Sequence, residues 1–342
     1  MILSDYSVFL EFVICAAIIL VAGWQLSRYG DVIAEKTGLG GTWIGLVLLA
    51  TVTSLPELVT GISSVTLTDQ PDLAVGNVLG ACVINLALIV VLDALFREES
   101  LYTRASRGHV LSAGFGTILI AFVGVNLLWS QRWAAPAIGH VGLYTPILAV
   151  VYVAALRTLF QYELEHREEY VSESAARYPD VSLRQALVRY GVAAAFVVGA
   201  GIWLPFIGAR MADTMGWHES FVGSLFLALA TTLPEIAVTV SALRLGAVNL
   251  AIGNLFGSNL FNIFILAIDD VAYLRGPLLS HVSPVHAISV LSAVVMTGIA
   301  IVAFFYRPRA RVFQTIGWAS LVILMMYLFN AYTLFLYGTE SR

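Results

Sequence analysis

The chain has 342 residues, of which 59% are hydrophobic and 12% charged, with a formal net charge of −4 and a mean hydropathy of +0.87. A soluble domain carries about a quarter of its residues as Asp, Glu, Lys or Arg, so this composition indicates a polytopic helical membrane protein and excludes a soluble globular one. The small, dispersed negative charge excludes a nucleic-acid-binding surface and a polybasic lipid anchor.

A helix needs about 20 apolar residues to cross the hydrocarbon core. Ten stretches meet this, at approximately 8–26, 42–67, 73–95, 109–129, 138–160, 184–207, 221–245, 248–274, 282–306 and 313–337. The first lacks the basic n-region of a secretory signal, because no Lys or Arg precedes Arg28, and is expected to be a retained span. Cys15 and Cys82 lie inside apolar runs, which gives neither a disulfide framework nor a paired-cysteine metal motif.

One connection is long and charged, residues 161–183, and it forms the seam between two halves. The first is expected to be a five-helix repeat over 1–160 and the second its counterpart over 184–342. With the N-terminus outside, most Lys and Arg fall in cytoplasmic segments, and Arg132, Arg210, Arg275 and Arg342 remain for the exterior. The enrichment of cytoplasmic loops in Lys and Arg then favours both termini outside and the 161–183 linker inside.

Residues 50–61, ATVTSLPELVTG, set a carboxylate, hydroxyls and a proline within an apolar run, and residues 228–239, ALATTLPEIAVT, repeat the pattern. A shift of 178 positions lays Pro56 on Pro234 and Glu57 on Glu235. Beyond them, a shift of 177 lays Gly76, Asn77, Gly80, Asn85 and Asp93 on Gly253, Asn254, Gly257, Asn262 and Asp270. Because five spans separate equivalent points, the halves enter the membrane in opposite senses. That inverted repeat brings their polar centres together at midplane, as in many secondary transporters.

A carboxylate at the bilayer centre costs a few kcal/mol or more, so it faces a partner, a cavity or an ion. Pro56 has no N–H for the carbonyl of Val52, and Pro234 none for that of Ala230, so both turns are loosened. Thr53 and Thr231 are placed to offer main-chain oxygen there, and Ser54 and Thr232 add hydroxyls. Asn85 and Asn262, one span later, complete the shell or orient the glutamates. This oxygen-rich set suits a hard cation such as calcium, which takes 6–8 oxygen ligands. Two carboxylates match a divalent charge, and sodium ions or protons would replace it in multiples. The glycines four apart are read first as close helix packing. Asp93 and Asp270 are read as interfacial or capping residues, the histidines near span ends as solvated or interfacial, and the acidic run 163–173 as a solvated linker.

The paired TSLPE and TTLPE segments, each followed by G-N-x-x-G with Asn five residues after its second glycine, resemble the alpha repeats of the cation/calcium exchanger superfamily, closest to prokaryotic sodium/calcium exchangers. The motif regions are about 42–95 and 221–274. The resemblance implies an all-α membrane protein of ten helices in two inverted five-helix repeats, located in a prokaryotic-type inner membrane. It further implies calcium on Glu57, Glu235 and the backbone oxygens of Thr53 and Thr231. Flanking sodium sites would draw on Ala50, Thr53, Ser54, Ala228, Thr231, Thr232 and Ser258, and the first and sixth helices would slide as the gate. The implied activity is calcium/sodium antiport, with no cofactor and no obligatory protein partner.

Two departures from the family pattern stand out, at Ala81-Cys82 and at Asn262. Gly80-Ala81-Cys82 stands where Gly-Ser-Asn is usual, which removes a hydroxyl, and Asn262 stands where related exchangers often have Asp. Calcium/proton antiport is therefore the alternative, although the Gly-Asn-Ala-Val-Glu helix typical of proton-coupled relatives is absent. A membrane-embedded hydrolase using the two glutamates lacks a zinc motif and a nucleophile. A passive channel does not call for inverted pseudo-symmetry.

Overall fold

The computed structural model describes residues 2–36, 50–97, 100–106, 108–165, 180–308, 310–312 and 315–340. Among these, eight helices are long and apolar enough to cross a bilayer. The count is nine if the pair Glu219–Thr231 and Leu233–Arg244, bent by 45°, is one span. The start of the expected 42–67 span lies outside the described residues, as do His166 and most of the 163–173 run.

Helix α1 spans Ile2–Lys36. After a helical turn at residues 50–53, α2 covers Leu55–Thr66 and α3 Pro71–Leu95. The short α4 (Leu101–Arg104) precedes α5 (Gly108–Ser130) and α6 (Tyr144–Glu165). In the second half α7 is Leu183–Met215, α8 Glu219–Phe221, α9 Ala228–Thr231 and α10 Leu233–Arg244. Then come α11 (Val248–Ala272), α12 (His286–Tyr306) and α13 (Trp318–Glu340).

The 35 residues of α1 and the 33 of α7 reach about 50 Å at 1.5 Å per residue, well beyond a hydrocarbon core of about 30 Å. Hydropathy marks only the part that lies in lipid, which is why the sequence gives both helices shorter bounds. They pack side by side on an apolar seam that includes Ala22, Leu26, Ala193 and Val197. Arg210 pairs with Glu11, and the Arg189 guanidinium donates to the Tyr29 hydroxyl.

The centre of the bundle belongs to α3 and α11, whose apolar stretches are each 78% buried. Neither can turn a polar stripe to lipid, so their asparagines face into the protein. Gly80 of α3 lies so close to the Ser224 backbone and the Ala228 side chain that no Cβ fits without displacing them. Small residues here serve close helix approach, as the glycine spacing predicts.

Short hairpins made of two-residue strands sit at the starts of α6 and α13. Strand β1 (Ala137–Ile138) pairs with β2 (Val141–Gly142), and β3 (Arg311–Val312) with β4 (Ile316–Gly317). A buried carboxylate fastens each. Asp270 accepts from the amides of Gly142 and Leu278 at 2.9 and 2.7 Å, and from the Tyr144 and Thr145 hydroxyls at 2.5 Å each. Asp93 accepts from the Gly317 and Leu101 amides at 2.7 and 3.3 Å and from the Ser320 hydroxyl at 2.6 Å. Both aspartates cap connecting segments, as expected, but both are fully buried rather than interfacial. The loop amides have no water to bond, so an acceptor must enter the protein to meet them.

The histidine expectation is corrected in the same way. His286 is 0% and His109 6% exposed. His286 Nε2 lies 2.8 Å from Asp72 Oδ1, which also accepts from the Ser283 amide at 2.8 Å. His109 Nε2 lies 3.2 Å from Asn249 Oδ1, which accepts from the Ser106 amide at 2.9 Å. The two clusters are 177 positions apart, residue for residue. His140, His218 and His281 keep some exposure.

Candidate functional site

The polar segments break where the prolines require it. Helical geometry pauses at Ser54 (φ −86°, ψ 12°) and Thr232 (φ −78°, ψ −5°), and α2 and α10 resume with Pro56 and Pro234 in their first turns. Among the described residues, no main-chain N–H reaches the carbonyl of Thr53 or Thr231 across the break. Thr53 and Thr231 are the residues expected to offer main-chain oxygen, next to Val52 and Ala230, whose carbonyls the prolines deprive of a donor. Upstream of the second break, Val222–Leu227 is π-helical and delivers α9 against α3.

The two breaks meet. Ser54 donates its hydroxyl to Glu235 Oε1 at 3.0 Å, and Thr232 lies within 3.4 Å of Glu57 Oε1 while bonding the Ala228 carbonyl at 2.6 Å. Each carboxylate is thus touched by the hydroxyl of the other half. The Thr53 hydroxyl donates to the Ala50 carbonyl at 3.0 Å and lies 3.4 Å from that of Ser258. The Thr231 hydroxyl donates to the side-chain amide oxygen Oδ1 of Asn77 at 2.9 Å and lies 3.3 Å from the Ala228 main-chain carbonyl.

Glu57, Glu235, Thr53, Ser54, Thr231, Thr232, Ser258, Asn85 and Asn262 are all 0% exposed. The second oxygen of each glutamate, Oε2, has no hydrogen-bond partner, nor has either polar atom of the Asn262 amide. Buried polar groups are almost always paired, because an unpaired one costs about 1–3 kcal/mol and more when charged. Orphaned acceptors converging from two halves are what a cation requires. Among the described residues, no group of three or more His, Cys, Asp or Glu is placed to hold a metal ion by itself. A cation here would therefore rest on two carboxylates completed by hydroxyl, amide and carbonyl oxygens.

Asn85 behaves differently. Its Nδ2 donates to Asn259 Oδ1 at 3.0 Å, and Asn259 Nδ2 donates to the Cys82 carbonyl at 3.2 Å, tying α3 to α11. Residue-by-residue reading overlooked Asn77 and Asn259 as partners. Both lie inside the repeated glycine-asparagine segments, so the signal was present without the contact.

Long apolar helices that cross around a buried cluster of carboxylates, hydroxyls and amides define an integral membrane protein with its polar groups turned away from lipid. Residues 7–157 and, separately, 186–336 match the sequence model of the family described as sodium/calcium exchanger protein, and the chain belongs to that family. It is a transmembrane antiporter of the sodium/calcium exchanger family.

Inner membrane protein YrbG of Escherichia coli (strain K12) is 27% identical over 280 residues, 76% of this chain and 83% of that protein. The fold resembles that of the H+/Ca2+ exchanger CAX with a TM-score of 0.72 and 13% identity, over 97% of this chain and 85% of that one. It resembles the sodium-calcium exchanger NCX_Mj with a TM-score of 0.59 and 20% identity, over 96% of this chain and 98% of that one.

Proposed function

We propose that this chain exchanges calcium for sodium by alternating access at one site, formed by Glu57 and Glu235 with the main-chain oxygens of Thr53 and Thr231. Ala50, Ser54, Ala228, Thr232 and Ser258 would serve sodium, with Asn85 and Asn262 bordering the site. The observation that carries the reading is the crossed pairing of the two breaks, with one oxygen of each buried glutamate left without a hydrogen-bond partner. Two negative charges in a dry site resist burial when empty, so translocation requires either one divalent cation or several monovalent ones. Obligatory exchange follows from that.

In this reading the halves are inverted-topology five-helix repeats of a ten-helix protein, residues 1–160 and 184–342, with both termini outside and the 161–183 linker in the cytoplasm. The recurrence at 177 positions of the Asp72 and Asn249 clusters, and of Asp93 and Asp270 with the Leu101 and Leu278 amides, supports it. The apolar α1–α7 seam suits a pair that slides across the rest of the bundle as the gate. Alternating access by such rocking of one bundle against another needs no movement of the ligands.

Proton coupling is the second reading, favoured by Ala81, which places a methyl where the second half has the Ser258 hydroxyl. Radiolabelled calcium flux in proteoliposomes, with sodium, potassium and pH gradients imposed separately, distinguishes the two. Uptake driven by an opposing sodium gradient is expected. Uptake that follows only the pH gradient transfers the site to protons, and uptake needing no counter-cation refutes exchange.

A further inference from the structure

Asp269 of α11 is 0% exposed and precedes the well-bonded Asp270, yet neither of its oxygens has a hydrogen-bond partner. An ionised carboxylate needs donors and a protonated one an acceptor, so bonding within the protein accounts for neither state. Packing does not require the carboxyl either. At the matching position of the first half stands Leu92, fully buried in the apolar core.

What Asp269 faces is Gly61 of α2, where a Cβ would fall 2.5 Å from Oδ2 and 2.8 Å from Oδ1. Gly61 follows Glu57 by four residues, so both lie on one face of α2, about 6 Å apart along its axis. The Asp269 carboxylate is therefore the next acidic group along the face that carries the Glu57 site.

Further on, α2 ends and the chain turns into α3 at an acidic membrane face. Asp69 pairs there with Arg275, Asp72 accepts from Ser220, and Asp69, Asp72 and Asp213 act on the charge of Glu219. At three of the matching positions the other half is neutral in sequence, Asn249 for Asp72, Leu92 for Asp269 and Gly41 for Glu219, whereas Asp213 falls on Glu35. Carboxylates of one sign beside low-dielectric walls concentrate cations and speed their entry.

We propose that Asp269 is a further cation-binding carboxylate, set on the route between the Glu57–Glu235 pair and the face at which α2 ends, where it takes the hard cation in passage. This rests on the reading of the pair as the transport site. An intermediate carboxylate replaces water around an ion that would otherwise cross an apolar stretch, and the glycine at 61 lets the Asp269 carboxylate lie against α2, where a Cβ would collide with it.

The test uses oriented proteoliposomes of the full chain and its variants Asp269→Asn, Asp269→Leu and Gly61→Ala, with calcium half-saturation measured from each face separately. From the face at which α2 ends, half-saturation is expected to rise about tenfold in both Asp269 variants, the low end of such electrostatic effects. The rise should shrink as ionic strength increases. From the opposite face it stays at the wild-type value. Gly61→Ala shifts it in the same one-sided sense, because its methyl displaces the carboxylate. Asp269→Leu supplies the side chain that the first half packs at this place, which guards against loss of fold. An equal shift from both faces, or none from either, overturns the proposal. A wild type that carries no calcium refutes the exchange reading instead, and radiolabelled sodium uptake by the same four proteins then reads the one-sided effect.

Discussion

The Ser54 hydroxyl, from the break in one half, donates to Oε1 of Glu235, from the break in the other, at 3.0 Å. Its counterpart is weaker, because Thr232 holds the Ala228 carbonyl at 2.6 Å and reaches Glu57 only at 3.4 Å. A hydrogen bond to a charged group contributes about 1.5–3 kcal/mol. Ser54→Ala is expected to weaken calcium half-saturation by about tenfold or more on that basis. Thr232→Val, losing a long contact, should weaken it less. Calcium dependence of flux in the two variants measures the difference.

Ala81 packs with Ile84 and Ala228 in a small apolar cluster, whereas Ser258, its match in the second half, reaches the Thr53 hydroxyl at 3.4 Å. Ala81→Ser restores a hydroxyl to the first half. It should change the half-saturation and Hill coefficient for sodium more than the affinity for calcium, as measured by sodium-driven calcium flux. Unchanged sodium parameters would remove this position from a sodium site.

Asp72 and Asn249 hold the same partners, a serine amide and a histidine Nε2, in the two halves. Asp72→Asn is therefore expected to fold with little loss of stability. Asp72→Ala leaves the Ser283 amide and His286 without their acceptor and should cost about 1–3 kcal/mol or more. Thermal unfolding in detergent compares the two.

Asp270 collects four donors and Asp93 three. Removing a buried acceptor strands its donors, one of the recognised sources of large destabilisation. Asp270→Ala should lower Tm further than Asp93→Ala, and each further than an alanine at an exposed acidic residue such as Asp180. Equal Tm values for all three would show that the loops do not depend on these carboxylates.

The broken segments were legible in the sequence because polar residues and prolines stand out against apolar runs, and because Glu57 and Glu235 recur with their neighbours. Membrane spans were legible for the same reason, though α1 and α7 extend past the hydropathy that marks them. The histidine clusters were not legible from local composition. Asp72 meets His286 and Asn249 meets His109 through helix crossings between residues far apart in the chain, and proximity to a span end reads as exposure. The repeat offset contained the clue, since Ser106 and His109 fall on Ser283 and His286. Asp269 was hidden for the opposite reason. Its match is Leu92, so the repeat that exposes the glutamates draws no attention to it. The π-helical stretch Val222–Leu227 has no sequence signature, because its register is set by packing against α3.

The central claim is that Glu57 and Glu235 together hold the transported divalent cation. Sodium-driven uptake of radiolabelled calcium by proteoliposomes of Glu57→Gln and of Glu235→Gln tests it most directly, with monodispersity and Tm in detergent as the check on folding. The account predicts that each folded single variant loses calcium uptake, because one carboxylate cannot balance two charges in a dry site. Calcium uptake at the wild-type rate in either folded variant would contradict it.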